Sequence, residues 1–214
     1  PGLPVRVIVQ RDLVLSPSRE LERCIRQNRV TAHIKYISNP VVFEPGGEEG
    51  PSPRPPSRPF TVLFAGRLAP EKNVGLLLEA FRLLLDRRPG AQLWLAGEGP
   101  LRPELERRGR RLGLGEAAQF LGFLGHHELA RRYAAADVFV LPSLVETQGL
   151  TAMEAMHFGK PVLVTDRIAS ARELVDEGRT GSSSTRWTRR DWVSGWCGST
   201  TSRSCGSPWA RRAG

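Results

Sequence analysis

Cysteine is scarce in this chain. Cys24, Cys197 and Cys205 are the three, an odd set whose spacing fits neither a zinc site nor a redox pair and two of which lie near the C-terminus, so a reducing cytoplasm is predicted. No apolar run approaches the roughly 18 residues of a membrane-spanning helix. A secretory leader is not visible either, although a chain that begins at Pro1 without Met would hide one. Histidine is limited to four residues, and the adjacent pair His126 and His127 reads as an exposed cap between a strand and a helix, with no acidic or cysteine partner at metal-ligand spacing. No nucleophile elbow supports a Ser-His-Asp triad. Acidic residues are outnumbered, 22 against 31 basic ones, for a net charge of +9. That imbalance is mostly local: residues 182–214 hold six Arg against Asp191 alone.

What is present is a run of alternating patterns. TVLFAGR, Thr61 to Arg67, is an apolar strand ending in Gly66-Arg67, followed by LAPEKN and the amphipathic GLLLEAFRLLLDRR. Strand Gln92 to Ala96 runs into Gly97-Glu98-Gly99, a tight turn, and a helix from about Leu101. QFLGFL, DVFVLPS and PVLVTD supply further strands, with helices at HELARRYAAA and ASARELVDEG. Strands alternating with helices over about 120 residues predict a doubly wound, Rossmann-like parallel sheet of the α/β class. In such sheets ligands bind beyond the carboxyl ends of the strands. Arg67 and Lys72 then lie at one strand-to-helix turn and suit a diphosphate, Arg67 by its bidentate fork and Lys72 as a point charge; taken alone they also read as solvated loop charges. Glu146 falls in the loop after Asp137 to Leu141, and Gly149 opens a helix that carries Glu154 little more than one turn inside. Free N–H groups at that helix start attract phosphate oxygens, so one carboxylate can face a sugar and the other a ribose; the spacing alone also fits a solvated helix with two ordinary glutamates.

FAGRLAPEKNVGLLLEAF, LWLAGEGPLRPEL, LGFLGHHELARRYAAADVFVLPSLVETQGLTAMEAMHFGKPVLVT and ARELVDEGRTG together resemble the donor-binding half of the retaining glycosyltransferases of family 4, which have the GT-B fold of two facing Rossmann-like domains. The resemblance covers Phe60 to Gly181. It implies transfer of a hexose from a UDP- or GDP-sugar to an alcohol acceptor, a glycan or glycolipid, with retention and with no metal or other cofactor. Arg67 and Lys72 would hold the diphosphate beside Gly66, Glu146 would touch the transferred sugar and Glu154 would bind the ribose hydroxyls. Backbone amides at Gly149 and Leu150 would complete the phosphate site. Two positions depart from the family pattern: Gln148 stands where many members carry Phe, and Ala169-Ser170 where glycines are frequent. Peripheral attachment at the inner face of a membrane is part of the same expectation, and nucleic acid is not.

The flanks divide the chain into four. Residues 1–43 resemble the end of the family's acceptor domain, with Tyr36-Ile37-Ser38-Asn39-Pro40-Val41 matching the phrase that precedes its linker; most of that domain, including its acceptor-side histidine, is expected to lie outside this sequence. Residues 44–59 form a Pro/Gly-rich linker, 60–181 the nucleotide-sugar-binding domain and 182–214 an aberrant tail. That tail holds four of the five Trp without helical or strand periodicity. Arg interleaved with Trp is the pattern of a nucleic-acid-binding tail. A one-base frame shift accounts for it better, because Trp, Cys and most Ser codons begin with T, and a T moved to second position encodes an apolar residue. In that frame Ser182 onward back-translates, with GC-rich synonymous choices, to a chain opening LLVDP. The alternative function is an incomplete, catalytically inactive module that binds a nucleotide sugar.

Overall fold

In a computed structural model, residues 13–28, 32–41, 58–165, 171–175 and 181–184 are described. The first strand, β1 (Leu13–Ser16), leads through helix α1 (Arg19–Gln27) to β2 (His33–Tyr36), and the two strands pair in parallel. Ser18 caps α1, its side chain accepting from the Leu21 amide at 3.1 Å, which satisfies one of the helix's free donors.

A separate six-stranded sheet follows. Its strands are β3 (Thr61–Ala65), β4 (Gln92–Ala96), β5 (Ala118–Gly122), β6 (Val138–Leu141), β7 (Val162–Thr165) and β8 (Gly181–Ser184), in spatial order β5-β4-β3-β6-β7-β8 and all parallel. Helices α2 (Val74–Arg87), α3 (Arg102–Arg111), α4 (His126–Ala135), α5 (Leu150–His157) and α6 (Ala171–Leu174) alternate with them. Every residue of β3 is buried, and its side chains divide by the period of two. Val62 and Phe64 join a core with Leu77, Phe81 and Leu105 of α2 and α3; Leu63 and Ala65 join another with Tyr133, Ala152 and Ala155 of α4 and α5. Helices thus cover both faces, as the Rossmann-like, doubly wound reading requires.

The chain starts this sheet at β3, fills one side with β4 and β5, then returns to β3's other edge with β6. The strand order reverses there. Sheet pairing also continues past residue 181: Ser182, Ser183 and Ser184 pair with Leu163, Val164 and Thr165, so the strand crosses the boundary that the sequence reading sets. The linker's residues 44–57, the Ala169-Ser170 loop and the tail from 185 to 214 lie outside the described residues. Among the described residues no helix is long and apolar enough to cross a membrane.

Candidate functional site

The reversal between β3 and β6 opens a crevice at the carboxyl ends of those strands, the place where open α/β sheets take ligands. β3 delivers Gly66 and Arg67 to one wall. Beyond them a 3-10 turn, Pro70–Lys72, ends at Asn73, whose left-handed φ of 50° turns the chain into α2. This conformation is tolerated by Asn more readily than by most residues. β6 delivers the opposite wall, the loop with Glu146 and the start of α5.

Close backbone contacts fix the β3 loop. The Leu68 amide donates to the Glu98 carbonyl at 2.9 Å, and the Leu101 amide to the Leu68 carbonyl at 3.0 Å. A Cβ on Gly97 would lie 2.0 Å from the Gly66 carbonyl oxygen, and one on Gly99 would lie 2.3 Å from that of Leu68. The Gly-Glu-Gly turn therefore exists to let two loops touch, in keeping with its reading as a tight turn.

The two walls are also tied to each other. The Leu144 amide donates to the Glu71 carbonyl at 2.7 Å, and the Lys72 ammonium is ion-paired with Glu146 Oε2. Both of those side chains are about four-fifths buried, at 18% and 20% exposure, so the pair is shielded from much of the solvent. Two residues expected to act on different parts of one ligand are thus in contact. An ammonium has three N–H donors, and one bond to Glu146 leaves two for another acceptor. Arg67 is exposed and makes no ion pair with any described residue.

Gly149 has φ 70°, ψ 48°, a left-handed conformation open to glycine at little cost, and no side chain caps the helix it begins. Its carbonyl already accepts from the Ala152 amide at 2.9 Å, whereas the first amides of α5 have no partner within the helix. Leu150 and Glu154 share a face of α5, four residues apart. Glu154 Oε2 accepts a 2.7 Å hydrogen bond from the Tyr133 hydroxyl of α4. Burial, and then the negative charge of Glu154, hold that phenol far above its ordinary range, so it remains a donor.

Residues 48–186 match the model of the glycosyl transferases group 1. The chain belongs to that family. Over 104 residues it is 40% identical to an uncharacterized glycosyltransferase of Methanocaldococcus jannaschii, covering 49% of this chain and 26% of the relative. With sulfoquinovosyl transferase SQD2 of Arabidopsis thaliana it shares 38% identity over 129 residues, covering 59% and 23% of the two chains. The group 1 chain therefore spans about a quarter of the length of these curated relatives. Its fold superposes with TM-score 0.69 and 25% identity on Anabaena HepE, solved in complex with UDP and glucose, over 86% of this chain and 52% of that one. The sheet is the Rossmann-like C-terminal domain of a GT-B glycosyltransferase.

Within this glycosyltransferase domain the sequence singles out Gly66, Arg67, Lys72, Glu146, Gly149, Leu150 and Glu154, and all seven fall on the two segments that leave β3 and β6. His126 and His127 open α4 on its exposed side. Two residues of the site escaped the sequence reading as working parts. Tyr133 sits on the apolar face of an ordinary amphipathic helix, and nothing local marks its hydroxyl. Gln148 was visible only as a departure from a family pattern. It is 4% exposed, its Nε2 donates to Ser38 Oγ at 2.6 Å and its Oε1 accepts from the Asn39 amide at 3.2 Å. The segment leaving β2 is thereby bound to the loop between Glu146 and Gly149.

Proposed function

We propose that this chain carries the donor side of a retaining family 4 hexosyltransferase, which moves a hexose from a UDP- or GDP-sugar onto the hydroxyl of a glycan or lipid. The observation that carries the reading is the joining of Arg67, Lys72, Glu146 and the uncapped start of α5 at one strand-order reversal. In this reading Arg67, the two remaining donors of Lys72 and the amides of Gly149 and Leu150 receive the diphosphate. As the bond from sugar to phosphate breaks, charge develops on the leaving diphosphate, and fixed donors stabilise it without rearranging. Glu146 orients both Lys72 and the sugar. Glu154 takes the ribose hydroxyls. In this reading cationic side chains and backbone amides, rather than a metal, meet the developing charge.

UDP bound to HepE, and UDP with GlcNAc bound to the pneumococcal O-GlcNAc transferase GtfA, support a nucleotide-sugar donor on this fold. A second reading, a binding module that holds the donor without transferring it, has its own support: the described residues of the site are all on the donor side, and relatives extend well beyond the matched region. Acceptor-dependent transfer by the purified chain would decide against that module.

Calorimetric titration with UDP and GDP tests the shared core of both readings. Arg67→Ala and Lys72→Ala should each weaken the better-bound nucleotide by about 1.5 to 3 kcal/mol, the size of a hydrogen bond to a charged group. Unchanged affinity in both variants would remove the two cations from the site.

A further inference from the structure

We propose that Tyr133 is a positioning residue for nucleotide recognition: by holding Glu154 Oε2 it leaves the carboxylate's other oxygen set to accept from the ribose hydroxyls of a nucleoside diphosphate. The inference rests on the ribose-binding role given to Glu154 above. Tyr133 is fully buried, on a different helix from its acceptor and 21 residues away in sequence. Its ring stacks on Phe158 at 5.6 Å with planes 13° apart and leans on Phe139 at 5.7 Å and 53°. Packing on two aromatic neighbours fixes where the hydroxyl lies, so the core of the domain rather than solvent sets the carboxylate's position. Glu154 of α5 and Phe158, which caps that helix, are one turn apart, and Tyr133 contacts both.

Glu154 is half-buried and makes no ion pair with a described residue; among these its Oε1 has no hydrogen-bond partner. A neutral donor therefore orients the carboxylate without neutralising it. A glutamate left free would lose side-chain entropy at the moment of binding, and fixing it beforehand removes that cost from the ligand's affinity. Tyr133→Phe keeps the packed ring and deletes only the donor.

UDP and GDP would be titrated into the full 214-residue chain, then the 2′,3′-dideoxy form of whichever binds more tightly. Tyr133→Phe is expected to weaken the ribonucleotide roughly five- to tenfold, the order of one hydrogen bond, and to leave the dideoxy form nearly unaffected. Glu154→Ala should show the same ribose dependence. An equal loss for both nucleotides would mean that Tyr133 matters only to folding, and no loss would mean that it does not position Glu154; either overturns the inference while leaving Glu154 in place. Should Glu154→Ala lose nothing, or the wild-type chain bind neither nucleotide, the functional reading falls and takes this inference with it. A readout without substitution is also available, because Tyr36 and Tyr133 are the two tyrosines. After 3-fluorotyrosine labelling, the Tyr133 fluorine signal should shift with the ribonucleotide and not with the dideoxy form, and a still signal in both would count against the proposal.

Discussion

Gly97 shows how a single side chain can decide whether the site exists. It has φ +132°, and any Cβ there would lie 2.0 Å from the Gly66 carbonyl oxygen, well inside contact distance and against backbone rather than a movable side chain. The loop that carries Arg67 and Lys72 would have to move away from β4. Gly97→Ala is therefore expected to cost roughly 3 kcal/mol, combining backbone strain with overpacking, and to weaken nucleotide binding in whatever folds. Urea unfolding checks the first part. A variant within about 0.5 kcal/mol of wild type would show that the two loops can separate freely. In contrast, Gly90 and Gly113 have positive φ but nothing within 4 Å of an added Cβ, so only their backbone conformation is at stake.

Among elements, the loop between β6 and α5 meets three distant parts of the chain: the Pro70–Lys72 turn, the segment leaving β2, and, through α5, the buried face of α4. Gln148 is the member that spans furthest, since Ser38 and Asn39 are about 110 residues away in sequence. The bond is part-buried: Gln148 is buried and Ser38 exposed, so losing the Ser38 hydroxyl leaves a buried amide without that partner, and losing Gln148 removes both of the amide's bonds to the segment leaving β2. Gln148→Ala and Ser38→Ala should each lose about 1 kcal/mol of stability, and the double variant should lose less than their sum by about 0.5 kcal/mol or more. Strict additivity in denaturant titrations would show that the clasp is not formed in solution. The elements themselves were legible because their periods are clean: Gln92–Ala96 and the strands near Thr61, Val138 and Val162 read as apolar runs, and α2 as an amphipathic helix. Glu146, Gly149 and Glu154 could be placed from spacing because one short segment carries all three. The Lys72–Glu146, Tyr133–Glu154 and Gln148–Ser38 contacts could not, since each joins residues between 21 and 110 apart and depends on how separate elements meet: the segments leaving β3 and β6, helices α4 and α5, and the segments leaving β2 and β6.

For the whole molecule, the sheet's own composition raises a question at its far edge. Strands covered on both faces read as continuous apolar runs, as β3 (TVLFA), β6 (VFVL) and β7 (VLVT) do. β8, GSSS, pairs in register with β7, and sets Ser182, Ser183 and Ser184 beside Leu163, Val164 and Thr165. The frame-shifted reading places Leu, Leu and Val at those three positions, which is what a parallel strand beside Val162–Thr165 calls for. Replacing Ser182→Leu, Ser183→Leu and Ser184→Val together should therefore stabilise the domain, by about 1 to 3 kcal/mol if their added apolar surface is partly buried. Thermal and urea unfolding of the triple variant measure it. A loss of stability would mean that the β8 edge suits serine, and sequencing of the locus gives the independent check, because the frame-shift account requires a single-base discrepancy near codon 181 that opens the LLVDP frame. A confirmed frame, together with an unstabilised triple variant, would establish the serine strand as native to this chain.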